Sequence, residues 1–454
     1  AEPKNIPLQY ALADRYREAG QPDKADDLIK ILIEVQPDLK GFGSLYASLL
    51  KDRKTEELLQ LLTKVAERLR RDDAVDPQIA ALVADPTYAD EVIDKGLAML
   101  SSDPPRLDRP GWVVLVKIAT RAKKNDKLIN LYRWAVKEFP SPQYSRELID
   151  ALTKQKQYDA AEAEFEAMMR RFPDERNPLT MLFLAQVRIS AHREDAAIGT
   201  LKDILKLVPN DPDATRLLSF ALSQKGKTDE AVAVLREALK NDPANVDLMR
   251  MIAVVYQQAG KNEEQIAYLK SALEKFPNND EVVKFARSFL SIAYTNAGDY
   301  AKGEAELEVL FAKTPDDPGV NNDLGYLYAE QGKKLEQAES MIRKAVADEP
   351  ENAAYLDSLG WVLFKRGKAK EAVEPLQKAI EHLEGREDAT IPEHLGDVYF
   401  EIKDRPKAKE LWEKAEKVAA GMTPPDKRLP EIRKKLESLK KLETGPQPAS
   451  GANP

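Results

Sequence analysis

The 454-residue chain contains no cysteine. Disulfides, thiolate nucleophiles, iron–sulfur clusters and cysteine zinc sites are therefore excluded, and so is a lipid-bearing cysteine within the chain as given. Three histidines leave little for metal binding or acid–base catalysis. Aromatic residues are only 7%, and the longest unbroken apolar runs, 79–84 and 251–256, are six residues long. A membrane-spanning helix takes about 20. Acidic residues outnumber basic ones, 77 to 69, for a net charge of −8. An acidic chain gains no counterion-release affinity for phosphate, which disfavours a general nucleic-acid binder. What remains is rich in alanine, leucine and charge (43% apolar, 32% charged), the composition of a helical protein.

That composition is organised by repetition. Pro140, Pro173, Pro209, Pro243, Pro277, Pro315 and Pro350 follow one another at intervals of 33, 36, 34, 34, 38 and 35 residues, and Pro37 belongs to the same class. The interior of each unit repeats too. In 212–245, Leu218 and Ser219 occupy positions 7 and 8, followed by Leu222, Gly226, Ala231, Leu235, Ala238 and Pro243. In 246–283 the series is Ile252, Ala253, Tyr256, Gly260, Leu269, Ala272 and Pro277. In 318–352 it is Leu324, Gly325, Tyr328, Gly332, Ala338, Ala345 and Pro350, with one extra turn residue, and 353–388 continues with Leu359, Gly360, Gly367, Ala372 and Ala379. Small residues at positions 8, 20 and 27 let two helices approach closely. The turn glycine takes a positive φ at low cost, and the closing proline cannot extend the second helix.

A period near 34 with these residues resembles the tetratricopeptide repeat. The resemblance implies an all-α chain, an alpha-alpha superhelix of about twelve helical hairpins with a C-terminal capping helix. The pairs are 6–39, 40–73, 74–108, 109–141, 142–177, 178–211, 212–245, 246–283, 284–317, 318–352, 353–388 and 389–422. At 40–73 Lys54 replaces the turn glycine and Arg71 the closing proline. The organisation expected is N-terminal hairpins over 1–73, an irregular pair at 74–108, the main array over 109–422, a capping helix at 423–442 and a disordered tail at 443–454. The irregular pair consists of short helices at 77–84 and 88–100 between loop-like stretches. In the cap, Leu429, Ile432, Leu436, Leu439 and Leu442 form an apolar stripe.

Chemistry-bearing motifs are weak. His192 sits at the turn position of its repeat. His382 and His394 flank 385–388 with Glu381, Glu384 and Glu393 nearby, a pattern read as no metal site in so acidic a chain. The segments 210–213 and 314–319 lack the spaced ligands of a calcium loop and read as helix N-caps. No cofactor fingerprint or nucleophile elbow is present, so no catalytic residue, cofactor or metal is assigned.

In the family, the first helix of each hairpin lines a concave groove, mainly through positions 2, 5, 9, 12 and 13. Carried onto this chain, those positions select Arg146, Lys154, Arg216, Gln224, Arg250, Gln257, Gln258 and Asn296. Further along they select Phe220, Phe285, Tyr326, Trp361, Phe364 and Phe400, beside Asn322, Asp357 and Lys365. The resemblance implies a non-catalytic scaffold or adaptor that holds a peptide or partner protein. The hot spot expected lies between Phe285 and Phe400, centred on Tyr326, Trp361 and Phe364 and flanked by Arg216 and Arg250. Such a site would take a ligand combining apolar side chains with negative charge. The carboxylate clamp of co-chaperone domains is not supported by these positions. The alternative is a structural subunit contacting partners through its ends and convex face. No nucleic-acid partner and no transmembrane segment are expected. The absence of cysteine and a first residue other than Met point to the bacterial periplasm or envelope, with the cytoplasm as the alternative.

Overall fold

The computed structural model describes residues 5–35, 39–69, 73, 75–383, 385–422 and 425–444. Among them are 25 α-helices, one short 3-10 turn at Pro173–Glu175 and no strand. Twenty-four of the helices pair into twelve successive hairpins, and the last, Leu429–Thr444, stands alone after them. Pro37, Arg71, Glu384, the break at 423–424 and the tail at 445–454 lie outside the described residues. Residues 443 and 444, expected in the tail, continue the final helix.

The chain divides into two compact units, 1–217 and 218–454, with the boundary inside the helix Pro212–Gln224. In the N-terminal unit the irregular pair consists of Asp76–Val83, only eight residues long, and Pro86–Leu100. Because the first of these is so short, helix Thr55–Leu69 packs directly on Arg109–Arg121, and the hairpin order is locally skipped. The turn of the 40–73 pair is corrected by one residue: the left-handed position is Arg53 (φ 51°), not Lys54.

In the C-terminal unit the hairpins are regular. Asn245, Asn279, Asp317 and Asn352 each accept a hydrogen bond from the backbone N–H three residues on, satisfying a free donor of the helix that follows. The segments 210–213 and 314–319 act in this way, with Asp211 Oδ1 accepting from Ala214 N at 2.8 Å and Asp317 Oδ1 from Val320 N at 3.0 Å. Small residues let the paired helices touch. A Cβ added to Gly360 would fall 2.4 Å from Leu376 Cγ, and one on Gly396 2.5 Å from Trp412 Cδ1. The extra residue after Gly332 is absorbed by a second left-handed residue, Lys334, which donates to Glu308 and to the Tyr328 hydroxyl.

The last helix does what its apolar stripe implies. Leu429, Ile432, Leu436 and Leu439 are buried in the same core as Trp412, Ala415 and Ala419, while Leu442 stays exposed. Lys435 fixes its register, donating to Glu393 Oε1 at 2.8 Å and to Asp397 Oδ2 at 2.7 Å.

Candidate protein-binding groove

First helices Val246–Gln258, Asp280–Asn296, Pro318–Glu330 and Ala353–Lys365 each bury one face in the core and leave another open. Their open faces, together with segment 425–428, bound a groove of about 2000 Å³ within the C-terminal unit. Val254, Ile292 and Tyr326 line it from position 9 of three consecutive hairpins, as the repeat frame implies. In the fourth hairpin position 9 is not part of the lining, which comes instead from Ala353, Ala354, Asp357 and Ser358.

Trp361 explains that departure. It is only 8% exposed, stacked on His394 with ring centroids 4.0 Å apart and on Phe364 at 5.3 Å, and its Nε1 donates to Glu330. Lys365 Nζ covers the ring at 4.7 Å. The expectation that Trp361 is presented to a ligand is therefore corrected: the ring is roofed and belongs to the core. Phe285 is likewise buried, tilted against Phe289 at 5.0 Å. Its helix starts at Asp280, a turn before the repeat frame, which puts Phe285 against the preceding hairpin. Phe364 and Phe400 are half-buried against the core, Phe400 tilted on Trp412 at 5.4 Å, and neither lines the groove. Phe220 is 43% exposed but also lies off the groove. Arg216 and Arg250 are exposed and turn to their own helices, Arg216 to Asp213 at 3.2 Å and Arg250 to Asp247 at 3.8 Å. Of the nine residues expected at the site, the structure brings Asn322 and Tyr326 into the groove, joined there by Gln257, Gln258, Asn296 and Asp357.

The charge of the groove also reverses the expectation. Among its described lining residues, eight carboxylates face three cationic side chains. Asp323 can be reached by solvent yet is walled by protein on most sides, and that loss of hydration pushes its pKa up. Asn322 Nδ2 donates to Asp323 Oδ1 at 3.2 Å. Tyr326 is pushed well above the usual phenol range by burial, with Glu330 and Asp357 adding to the effect. Asp357 is buried and lies 2.9 Å from His394 Nδ1. Burial alone would lower the His394 pKa, but Asp357 outweighs it and the imidazole is held above its ordinary value. His394 thus has a carboxylate partner, and among the described residues no group of three or more His, Asp or Glu is arranged to hold a metal. His192 is the exposed turn residue its position implies (φ 55°).

Sequence reasoning missed Asp323, Glu330 and segment 425–428. Asp323 occupies a repeat position not counted among the groove positions. The segment read only as a helix breaker, and carboxylates are too frequent in this chain for any one to stand out.

Tetratricopeptide repeat profiles match residues 125–176, 152–219, 222–287 and 322–388, together about half of the chain. A TPR repeat-containing protein of Pseudomonas aeruginosa is 32% identical over 114 residues, 24% of this chain and 19% of the relative. The chain thus spans about a fifth of that relative's length. Among solved structures, yeast Tom70 is similar over 98% of both chains at 12% identity and a TM-score of 0.45. A tetratricopeptide repeat protein from Parabacteroides merdae is similar over 58% of this chain and 98% of its own, at 16% identity and a TM-score of 0.43. No helix among the described residues is long and apolar enough to cross a membrane. With its period, its hairpins and the repeat profiles that match it, the chain belongs to the tetratricopeptide repeat family.

Proposed function

We propose that this protein is a non-catalytic scaffold that holds a segment of a partner protein in the groove of its C-terminal unit. One observation carries the reading: successive first helices contribute Val254, Ile292 and Tyr326 from the same repeat position to one open groove of about 2000 Å³. A periodic lining of this kind suits an extended or helical segment lying along it. Tyr326 supplies a large, half-buried apolar surface with a polar tip, the character of an interface anchor. Membership in the tetratricopeptide repeat family, whose members typically serve as scaffolds, supports the same reading.

The test is site-specific photo-crosslinking in the native host. A crosslinking residue at Ile292, 41% exposed in the groove, is compared with one at Val309, 49% exposed on the second helix of the same hairpin. The expected result is a protein adduct from Ile292 and none from Val309. Adducts from Val309 alone would favour the subunit reading, in which partners meet the other faces of the array.

A further inference from the structure

We infer that the groove selects a cationic segment, one whose lysine or arginine side chains alternate with apolar residues. The inference rests on the groove reading above and adds the chemistry of the occupant.

Three observations support it. First, the cationic side chains of the lining are already engaged. Arg428 Nη2 holds Asp426 Oδ2 at 2.8 Å, Lys427 Nζ holds Asn296 Oδ1 at 2.7 Å, and Arg386 folds back on the carbonyls of Leu383 and His382. Of the groove carboxylates, Asp323, Glu351 and Glu387 make no ion pair among the described residues. Second, Asn322 is more than nine-tenths buried at the groove lining, and its Oδ1 has no hydrogen-bond partner. A buried acceptor without a donor is unfavourable, so a donor brought by a ligand would be favoured there. Third, the chain already places a cation of its own in the groove. Lys427, in the link to the last helix, reaches Asn296, 131 residues away in sequence. That contact shows the groove admitting an ammonium group beside Asn296 and Tyr300.

Between the carboxylates, Val254, Ile292 and Tyr326 offer apolar surface. A segment with cations spaced by apolar side chains meets both features, whereas an acidic segment or a nucleic-acid backbone would face like charge along most of its length.

The probes are two fluorescent peptides of equal length and equal leucine content, one carrying lysines and the other glutamates, read by anisotropy on the full chain. The expected result is that the lysine peptide binds at least about tenfold more tightly and loses affinity as salt rises. Asp323→Lys and Glu351→Lys should each weaken it several-fold, and together about tenfold, with helicity by circular dichroism unchanged. Glu413→Lys, exposed on the second helix of the last pair and outside the groove, should leave it within about twofold. Equal affinity for the glutamate peptide, or an equal effect of Glu413→Lys, would overturn the inference. If neither peptide binds, the segment captured from Ile292 decides. A net-basic segment supports the inference, and a net-acidic one overturns it while leaving the groove reading intact. Capture from Val309 alone defeats both.

Discussion

The two units reach the same hairpin geometry with different residues. In the N-terminal unit, the left-handed turn between paired helices falls on Gly20 once and otherwise on Arg53, Lys123, Lys156 and His192, with φ between 51° and 57°. In the C-terminal unit it falls on Gly226, Gly260, Gly298, Gly332 and Gly367, with Lys403 in place of glycine in the last pair and Lys334 added after Gly332. A side chain in that region costs about 1 kcal/mol or more. The helix contacts differ in the same sense. Gly325, Gly360 and Gly396 stand where a Cβ would collide with the partner helix, while the matching residue of the 142–177 pair is the fully buried Ile149. The N-terminal unit thus tolerates turn strain that the C-terminal unit mostly avoids, although close helix contacts occur in both, Gly96 standing where a Cβ would fall 2.3 Å from Leu115. The lesson is that the turn is imposed by packing on both sides of it, so the turn residue tunes stability without choosing the fold.

That contrast can be broken most strongly at the end of the C-terminal unit. Deleting 427–454 removes four buried side chains, Leu429, Ile432, Leu436 and Leu439. At roughly 1.5–3 kcal/mol each, the loss is several kcal/mol and should appear in denaturant unfolding as an early transition of that unit. Trp361→Ala comes next. Because the ring is roofed by His394, Phe364 and Lys365, the expected loss is about 3–5 kcal/mol of stability. Unchanged melting with lost binding would restore the ring to the ligand site.

Glu339 offers an ionic counterpart. It is buried, and burial alone would raise its pKa. Arg343 at 2.8 Å, Arg366, and Lys368 at 3.3 Å outweigh that and hold the carboxyl at about 2. Its contribution is complete above the unfolded value near 4.5 and is lost as pH falls toward 2. Glu339→Gln should cost about 3 kcal/mol at neutral pH and flatten the acid limb of a pH–stability curve. His394 works in the opposite direction. Its raised pKa means that the charged pair with Asp357 stabilises fully below about pH 6.5 and fades as pH rises through the folded value. Melting of the parent should therefore fall modestly on the alkaline side, and His394→Gln should remove that slope. The smallest effects are in the turns. Lys156→Gly should stabilise the N-terminal unit by about 1 kcal/mol and Gly260→Ala should destabilise the C-terminal unit by a similar amount, as read from melting curves. Equal signs for the two would erase the contrast.

The fold was legible because each hairpin depends on residues close in sequence: a capping Asn or Asp, a turn residue, a small residue facing a large one. The prolines counted out the period, and the twelve pairs and the final helix follow from it. The site was less legible because the direction of a side chain is settled by partners a repeat away. Tyr326 and Trp361 hold the same repeat position, yet only Tyr326 lines the groove, since Trp361 is captured by Glu330 and His394. The sign of the groove was hidden for a related reason. Arg216 and Arg250 attract notice in sequence, but each pairs within its own helix, and the carboxylates converge only once the helices stack.

The central claim, that this groove is where a partner is held, is tested most directly by filling it. Ile292 lies in the groove and is 41% exposed, so Ile292→Arg should leave melting unchanged while adding bulk and positive charge to the lining. Affinity for the lysine peptide, measured by calorimetry, is expected to fall at least about tenfold, with Val309→Arg unaffected. Retention of full affinity by Ile292→Arg would contradict the account.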